Sequence, residues 1–146
     1  MPDLLITVDN GISSHDGVKV AKKLGIEVLI TDHHLPGTEL PDAMIVNPQQ
    51  KDCNFESKNI AGVGVIFYLL IATRTWLRDR GYFNNSQEPK LDDLLSLVAL
   101  GTIADLVPLD TNNRRIIFQG LQRIHDNNIP EGLRALIKIS KLSPKT

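Results

Sequence analysis

The sequence has little cysteine, few aromatic residues and no long apolar run. Cys53 is the single cysteine, which excludes an intrachain disulfide framework and a cysteine-rich zinc site. No apolar stretch approaches the ~20 residues that a membrane-spanning helix needs, and the segment from Met1 to Asp3 does not begin a secretory signal. We therefore expect a soluble protein of the cytoplasm with no membrane partner.

Neither sign of charge predominates, because 16 basic residues nearly balance 17 acidic ones. Without an overall positive field, any contact with nucleic acid must be local. The length of 146 residues, 42% of them hydrophobic, suffices for one ordinary core and predicts one compact domain.

Short apolar segments that end in turn residues predict strands in the first third of the chain. Leu4–Val8 is predicted as a buried strand that stops at Asp9-Asn10-Gly11, and Ile26–Thr31 repeats the pattern. A third strand is predicted at Ala43–Val46, closed by Asn47-Pro48.

A short amphipathic helix is predicted between the first two strands. Ser13 or Ser14 is positioned to cap its start, and Gly25 follows its predicted end at Leu24. Strand, helix and strand together form a βαβ unit, which requires parallel strands.

The remainder of the chain has helical spacing. We expect helices from Gly62 to Arg80, Leu91 to Ala104, Asn113 to His125, and from Pro130 onward. The first is apolar nearly all round and should be buried. Loops are expected at Tyr82–Lys90 and Ser143–Thr146. The predicted fold class is therefore α/β, with a parallel sheet built from βαβ units in residues 1–48 and a mainly helical part in residues 60–140 packed on it.

Two successive strand ends carry side chains that could perform chemistry. Asp9 follows the first strand, and Asp32-His33-His34 follows the second. Ligands of open parallel sheets collect at the carboxyl ends of the strands. Carboxylate and imidazole together suit a borderline divalent ion such as manganese. Such an ion makes phosphoester hydrolysis the natural reaction class.

Each of these residues also has an ordinary structural interpretation. An aspartate at a strand end commonly forms a turn or caps a helix, and histidine pairs in loops are usually solvated. Asp105 ends an apolar helix just before Pro108, where a lone carboxylate is usually exposed. His15 and His125 lie near helix ends and are interpreted as structural. The residues alone leave both interpretations open.

Four stretches, in this order along the chain, resemble successive motifs of the DHH phosphoesterase superfamily. Val8–Gly11 resembles the second motif, and Thr31–His34 contains the Asp-His-His signature. Ala61–Val65 looks like the glycine-rich helix start of RecJ-type members, and Ala99–Leu109 resembles their fourth motif. The resemblance covers residues 4–109 and identifies the chain as a RecJ-type member of the superfamily.

The resemblance implies a role for each matching residue. Asp9 would bridge two metal ions, and His33 and Asp105 would be ligands of one of them. His34 would contact the scissile phosphate. Asp32 would be an outer partner that orients an imidazole or hydrogen-bonds the site. The cofactor would be Mn²⁺ or Mg²⁺, as two ions in the full-length protein.

Gly62 and Gly64 have two interpretations of equal weight. Lacking side chains, they allow either close backbone approach to a neighbour or ligand, or tight packing of the helix.

Five arginines give modest support for contact with nucleic acid. They are either phosphate contacts or solvated faces, and solvated faces are the commoner case. They lie on two predicted helices at Arg74, Arg78, Arg80, Arg114 and Arg115.

The resemblance implies that the parent protein is a 5′-to-3′ exonuclease of single-stranded DNA, acting in recombination and repair. The closest alternative is a DHH phosphodiesterase that acts on oligoribonucleotides or cyclic dinucleotides. From another class, the chain could be a non-catalytic binding module.

The chain departs from the family pattern at both ends. Family members carry an aspartate-rich first motif upstream of the second, and here seven residues precede Val8. The accessory domain that follows the DHH domain in the family is also absent. We therefore expect one partial DHH domain over residues 1–146 that is inactive alone, with an open sheet edge that favours self-association.

Overall fold

Three short apolar segments form one parallel sheet in the first part of the chain. The strands, in the spatial order in which they pair, are β1 (Leu4–Val8), β2 (Glu27–Thr31) and β3 (Met44–Val46). Val8 pairs with Thr31 and Thr31 with Val46, so all three strands end at the same edge. The predicted parallel sheet is confirmed in this computed structural model, which describes residues 1–83 and 88–141.

The described chain divides into two compact units, Met1–Ile66 and residues from Phe67 onward. In the first unit, helix α1 (His15–Lys23) packs its apolar face on β2. The core of this unit consists of buried apolar side chains from α1, from β2 and from the residue that precedes β2, with Ala43 and Ile45 packed against it: Val18, Ala21, Ile26, Val28 and Ile30. The βαβ arrangement thus buries one side of the sheet beneath α1.

The start of α1 differs from the prediction. Ser14 occupies the capping position, but its side chain makes no capping hydrogen bond. Instead, the amide of Ser14 donates to the carbonyl of Gly11, so backbone contacts of the turn lead the chain into the helix. Gly25, with φ at +75°, follows the helix end as predicted.

The prediction that Leu4–Val8 is buried is wrong. Leu4, Ile6 and Val8 are exposed, Ile6 to 50%. The reason is position, because β1 lies at the edge of the sheet whereas β2 lies between two strands and beneath α1. Among the described residues, β1 pairs with β2 alone, so an apolar edge faces outward.

Helix α2 (Gly62–Asp79) begins at the predicted glycine and runs for five turns. Its first turns are buried, as at Val65 and Phe67, but its second half is not. Trp76 is 50% exposed, so the expectation of a helix buried on all sides is wrong beyond those first turns. Gly81, with φ at +71°, follows the helix end.

The second unit continues with a 3₁₀ turn and three helices. The turn at Leu91–Leu94 precedes α3, so the single helix predicted from Leu91 is in fact two elements. The helices are α3 (Leu95–Ala104), α4 (Thr111–His125) and α5 (Glu131–Ser140). Pro130 lies at the capping position of α5. Residues 84–87 of the first predicted loop and the whole of the second, 143–146, lie outside the described residues.

A close contact joins α3 and α4. A Cβ atom added at Gly120 would overlap Ala99 and the carbonyl of Leu95, so the glycine lets the helices approach. Asp110 caps α4 by accepting a hydrogen bond from the amide of Asn113 at 2.9 Å. No described helix combines the length and the apolar character that a bilayer crossing requires.

Candidate metal site

Three side chains that could hold a metal ion converge at the carboxyl edge of the sheet. Asp9 directly follows β1, and His33 and His34 come shortly after β2. Each offers one ligand atom, and these atoms lie within 4.8 Å of one another. His33 Nε2 is 3.1 Å from Asp9 Oδ1, and the two imidazole rings meet edge to face with centroids 4.5 Å apart. One carboxylate and two imidazoles are therefore within reach of a common point.

The backbone of Asp9 is left-handed, which is uncommon for a residue with a side chain. Its φ is +64°, and its amide donates to the carbonyl of Thr31 at 2.9 Å. The turn is closed by the Thr7 hydroxyl, which donates to the carbonyl of Asn10 at 2.8 Å. Aspartate tolerates this conformation better than most residues, but at an energetic cost that is typical of functional sites.

The start of α2 lies directly against the Asp9 carboxylate. A Cβ atom added at Gly62 would lie 2.6 Å from Asp9 Cγ and overlap its Oδ1, so only glycine fits without displacing the carboxylate. The positive end of the helix dipole also favours a negative charge at this position. Close approach to a neighbour is thus the correct interpretation for Gly62. Tight packing is correct for Gly64, which abuts Ile60.

Asp32 is buried beneath the two histidines and is 1% exposed. Its Oδ2 accepts from the amide of Ile12 at 2.9 Å. Its Oδ1 accepts from the His33 and His34 amides at 2.8 and 3.2 Å and lies 2.7 Å from His34 Nδ1. Burial raises the pKa of Asp32, but these hydrogen bonds together outweigh burial and hold the pKa below its usual value.

An ionised Asp32 determines the tautomer of His34. Because a carboxylate can only accept, the proton of the neutral ring resides on Nδ1, and the lone pair is carried by Nε2. The same arrangement is common around metal-binding histidines, where a carboxylate orients the ring. The His34 side chain is 59% exposed, so its ring is accessible from solvent.

Asn47 is a buried polar residue whose role the sequence did not indicate. Its side-chain amide donates to the carbonyl of His34 at 2.9 Å. The sequence suggested only that Asn47-Pro48 ends a strand. An asparagine beside a proline at a strand end was the available signal, since its side chain can replace a backbone donor that proline lacks.

The remaining predicted site residue, Asp105, belongs to the second unit. It ends α3 with an exposed side chain, and its amide donates to the carbonyl of Gly101 at 3.0 Å. Leu106 follows with φ at +57°, a second left-handed residue that has a side chain. The role of Asp105 as a ligand stays a prediction. Of the other described histidines, His15 begins α1, and His125 lies 3.3 Å from Asp126 at the end of α4.

Three arginines in or directly after α2 have partners within the second unit. Arg78 hydrogen-bonds Glu88, and Arg74 lies 3.6 Å from the same carboxylate. The guanidinium of Arg80 stacks over the ring of Trp76 at 3.8 Å from its centroid. These contacts occupy the arginines in the structure, while their proposed contact with phosphates stays a prediction.

Comparison with known proteins places the chain in a family. Residues 1–102 match the model of the DHH family, N-terminal domain. The single-stranded-DNA-specific exonuclease RecJ of Salmonella typhimurium is 58% identical over 145 residues, which are 97% of this chain and 25% of the relative. The RecJ protein of Escherichia coli is 56% identical over 94% of this chain and 24% of its own length. The chain thus spans about a quarter of the length of these relatives.

Solved structures agree with these sequence relatives. A crystal structure of exonuclease RecJ bound to manganese superposes with a TM-score of 0.80 at 35% identity, covering 98% of this chain and 34% of that one. RecJ of Thermus thermophilus in complex with Mn²⁺ superposes with a TM-score of 0.78 at 34% identity, covering 98% and 20%. These matches confirm the predicted fold class, a parallel sheet followed by a mainly helical part. The chain belongs to the DHH family, and its sequence is of the RecJ type.

Proposed function

We propose that this chain is part of a cytoplasmic RecJ-type exonuclease that hydrolyses phosphodiester bonds of single-stranded DNA from the 5′ end, in recombination and repair. Relatives of 58% and 56% identity bear the name single-stranded-DNA-specific exonuclease RecJ. The observation that carries the proposal is the convergence of Asp9, His33 and His34 at one edge of the sheet.

The donor atoms of this group fit a borderline divalent metal. A mixed set of carboxylate and imidazole ligands suits manganese better than magnesium, which prefers oxygen ligands only. The two solved RecJ structures that resemble this chain are described as manganese-bound, which supports the same choice. Asp9 and His33 would hold the ion together with Asp105, and Asp9 would bridge to a second ion. Mg²⁺ is the alternative metal.

When bound, a divalent ion polarises the phosphoryl oxygen and lowers the pKa of a bound water. The residues of the chain have separate tasks around that chemistry. His34 contacts the scissile phosphate through Nε2, since Nδ1 is held by Asp32. Asp32 keeps the ring in this tautomer and orientation, and Gly62 leaves room for the Asp9 carboxylate.

Calorimetric titration with Mn²⁺ tests the metal site. Asp9→Ala and His33→Ala should each lower the affinity by more than the 10- to ~100-fold range seen for partners outside the ligand set. Asp16→Ala and His15→Ala are matched controls, because they remove the same residue types from the same unit, outside the group. Unchanged affinity in Asp9→Ala, with the fold intact by circular dichroism, would contradict the ligand assignment.

Hydrolysis of a 5′-labelled single strand in Mn²⁺ tests the reaction. Cleavage that Asp9→Ala abolishes and Asp16→Ala preserves would show that the chain itself is catalytic. Metal binding without cleavage would show a metal site that needs further parts of a longer protein. Cleavage of a cyclic dinucleotide in preference to the single strand would instead favour the alternative substrate class.

A further inference from the structure

Asn47 is a fully oriented polar side chain in a buried position at the end of β3. It is 2% exposed. Its Nδ2 donates to the carbonyl of His34 at 2.9 Å, and its Oδ1 accepts from the amide of Gln49 at 2.8 Å. Because both ends of the amide are used, the orientation of the side chain is fixed.

The contact continues the β2–β3 ladder beyond the strands. The last backbone bond of the ladder runs from the amide of Asp32 to the carbonyl of Val46 at 3.1 Å. Pro48 has no N–H group, so the backbone of the β3 side cannot supply the next donor there. The side chain of Asn47 donates instead and reaches His34, two residues past the last backbone bond.

His34 is therefore held from two sides. Asp32 binds its amide at 3.2 Å and its ring Nδ1 at 2.7 Å. Asn47 binds its carbonyl at 2.9 Å. The bond from Asn47 restrains the peptide that follows His34, and rotation of that peptide would alter the backbone angles on which the side-chain orientation depends.

We infer that Asn47 is a positioning residue for His34, acting through the backbone carbonyl to keep the imidazole on Asp32 and aimed outward. The hydrogen bonds that hold His34 do not depend on the proposed function, whereas their consequence for metal and phosphate chemistry rests on it. The role is one of positioning because Asn47 is buried and acts through His34.

The same strand end offers a matched control. The Gln50 side chain donates to the carbonyls of Ile45 and Asn47, each at 3.2 Å. Gln50→Ala therefore removes two hydrogen bonds from this turn without removing the bond to His34. A general loosening of the turn should appear in this variant, and a specific effect on His34 should not.

Imidazole ¹⁵N NMR of the 146-residue chain tests the inference directly. In the wild type, His34 should show one protonated and one unprotonated nitrogen with well-separated shifts. In Asn47→Ala and Asn47→Asp, the two shifts should move towards each other as the ring exchanges tautomers. Asparagine to aspartate keeps the volume but removes the donor. Gln50→Ala should leave the His34 shifts in place.

Two outcomes would overturn the inference. Unchanged His34 shifts in a folded Asn47→Ala chain would show that the other contacts of His34 suffice to position it. Loss of folding in both Asn47 variants, measured by circular dichroism, would assign Asn47 a purely structural role.

Mn²⁺ titration adds the functional consequence. Asn47→Asp should weaken binding by about ten-fold, at the lower end of the range for residues that orient ligands, and Gln50→Ala should bind as the wild type does. If the wild type binds no Mn²⁺, the proposed function fails, and the NMR result still decides the role of Asn47. Unaltered Mn²⁺ affinity together with altered His34 shifts would support positioning of His34 towards phosphate.

Discussion

The ends of β1 and β2 carry the same residue in equivalent positions and use it in opposite ways. Asp9 follows Val8, Asp32 follows Thr31, and those two strand residues pair. Yet the Asp9 side chain is 53% exposed, whereas that of Asp32 is 1% exposed. Both amides extend the ladder, that of Asp9 to Thr31 and that of Asp32 to Val46, but the backbone of Asp9 turns left-handed on an edge strand, whereas Asp32 follows the central strand. Backbone path and sheet position therefore decide which carboxylate is offered to a ligand and which supports the site.

Asp32→Asn alters the carboxylate that supports the site, and it should cause the largest loss of unfolding free energy. The asparagine amide would present a donor to surrounding N–H donors, leaving buried groups unsatisfied, so the unfolding free energy should fall by about 2–3 kcal/mol. Urea denaturation measures the change. Asp16→Asn, at a fully exposed carboxylate, should stay within about 0.5 kcal/mol of the wild type. Equal stabilities of the two variants would mean that Asp32 does not anchor the strand end.

Gly62→Ala alters the contact that leaves room for the Asp9 carboxylate, and it should lower the unfolding free energy by a smaller amount. The added Cβ overlaps the Asp9 carboxylate, and overpacking of this kind costs about 1–2 kcal/mol. Mn²⁺ affinity should fall at the same time, since the carboxylate must move. Gly17→Ala is the matched control, because its Cβ would meet nothing within 4 Å in α1 and should raise stability through helix propensity. Equal stability and equal Mn²⁺ affinity of the two alanine variants would contradict a close contact between Gly62 and Asp9.

Asp9→Gly removes the exposed carboxylate while keeping the backbone conformation, and it should cause the smallest change in stability. Glycine adopts the left-handed backbone without a steric cost, so the unfolding free energy should stay within about 1 kcal/mol of the wild type while Mn²⁺ binding is lost. Asp9→Ala should bind Mn²⁺ no better than Asp9→Gly does, and it should be the less stable of the two. Thermal unfolding of the two variants measures this difference. An alanine variant that is more stable than the glycine variant would contradict backbone strain at position 9.

Local pattern was sufficient to predict the elements and the strand-end positions of the site. Apolar runs stopped by turn residues predicted β1, β2 and the aspartates after them, and helical spacing placed α2 and α4 within two residues of their bounds. These features depend on neighbours along the chain, which a sequence shows directly. The order of the motifs supplied the family.

The parts that the sequence did not reveal depend on residues far apart in the chain. The exposure of β1 follows from its place at the sheet edge, which its composition does not encode. The amide of Ile12 binds Asp32 across 20 positions, and Asn47 binds His34 across 13. Gly62 and Asp9 meet only because α2 begins beside β1. Such contacts exist only once the chain is folded.

The left-handed backbone at position 9 also restricts which mutations can persist there. A single base change in an aspartate codon yields asparagine, glycine, alanine, valine, glutamate, histidine or tyrosine. Of these, glycine and asparagine accept a φ of +64° most readily, and valine is the least compatible. Of glycine and asparagine, only asparagine retains a side-chain oxygen that could coordinate a metal ion. Loss of the metal during divergence, with the fold intact, should therefore proceed most easily through a glycine codon at this position.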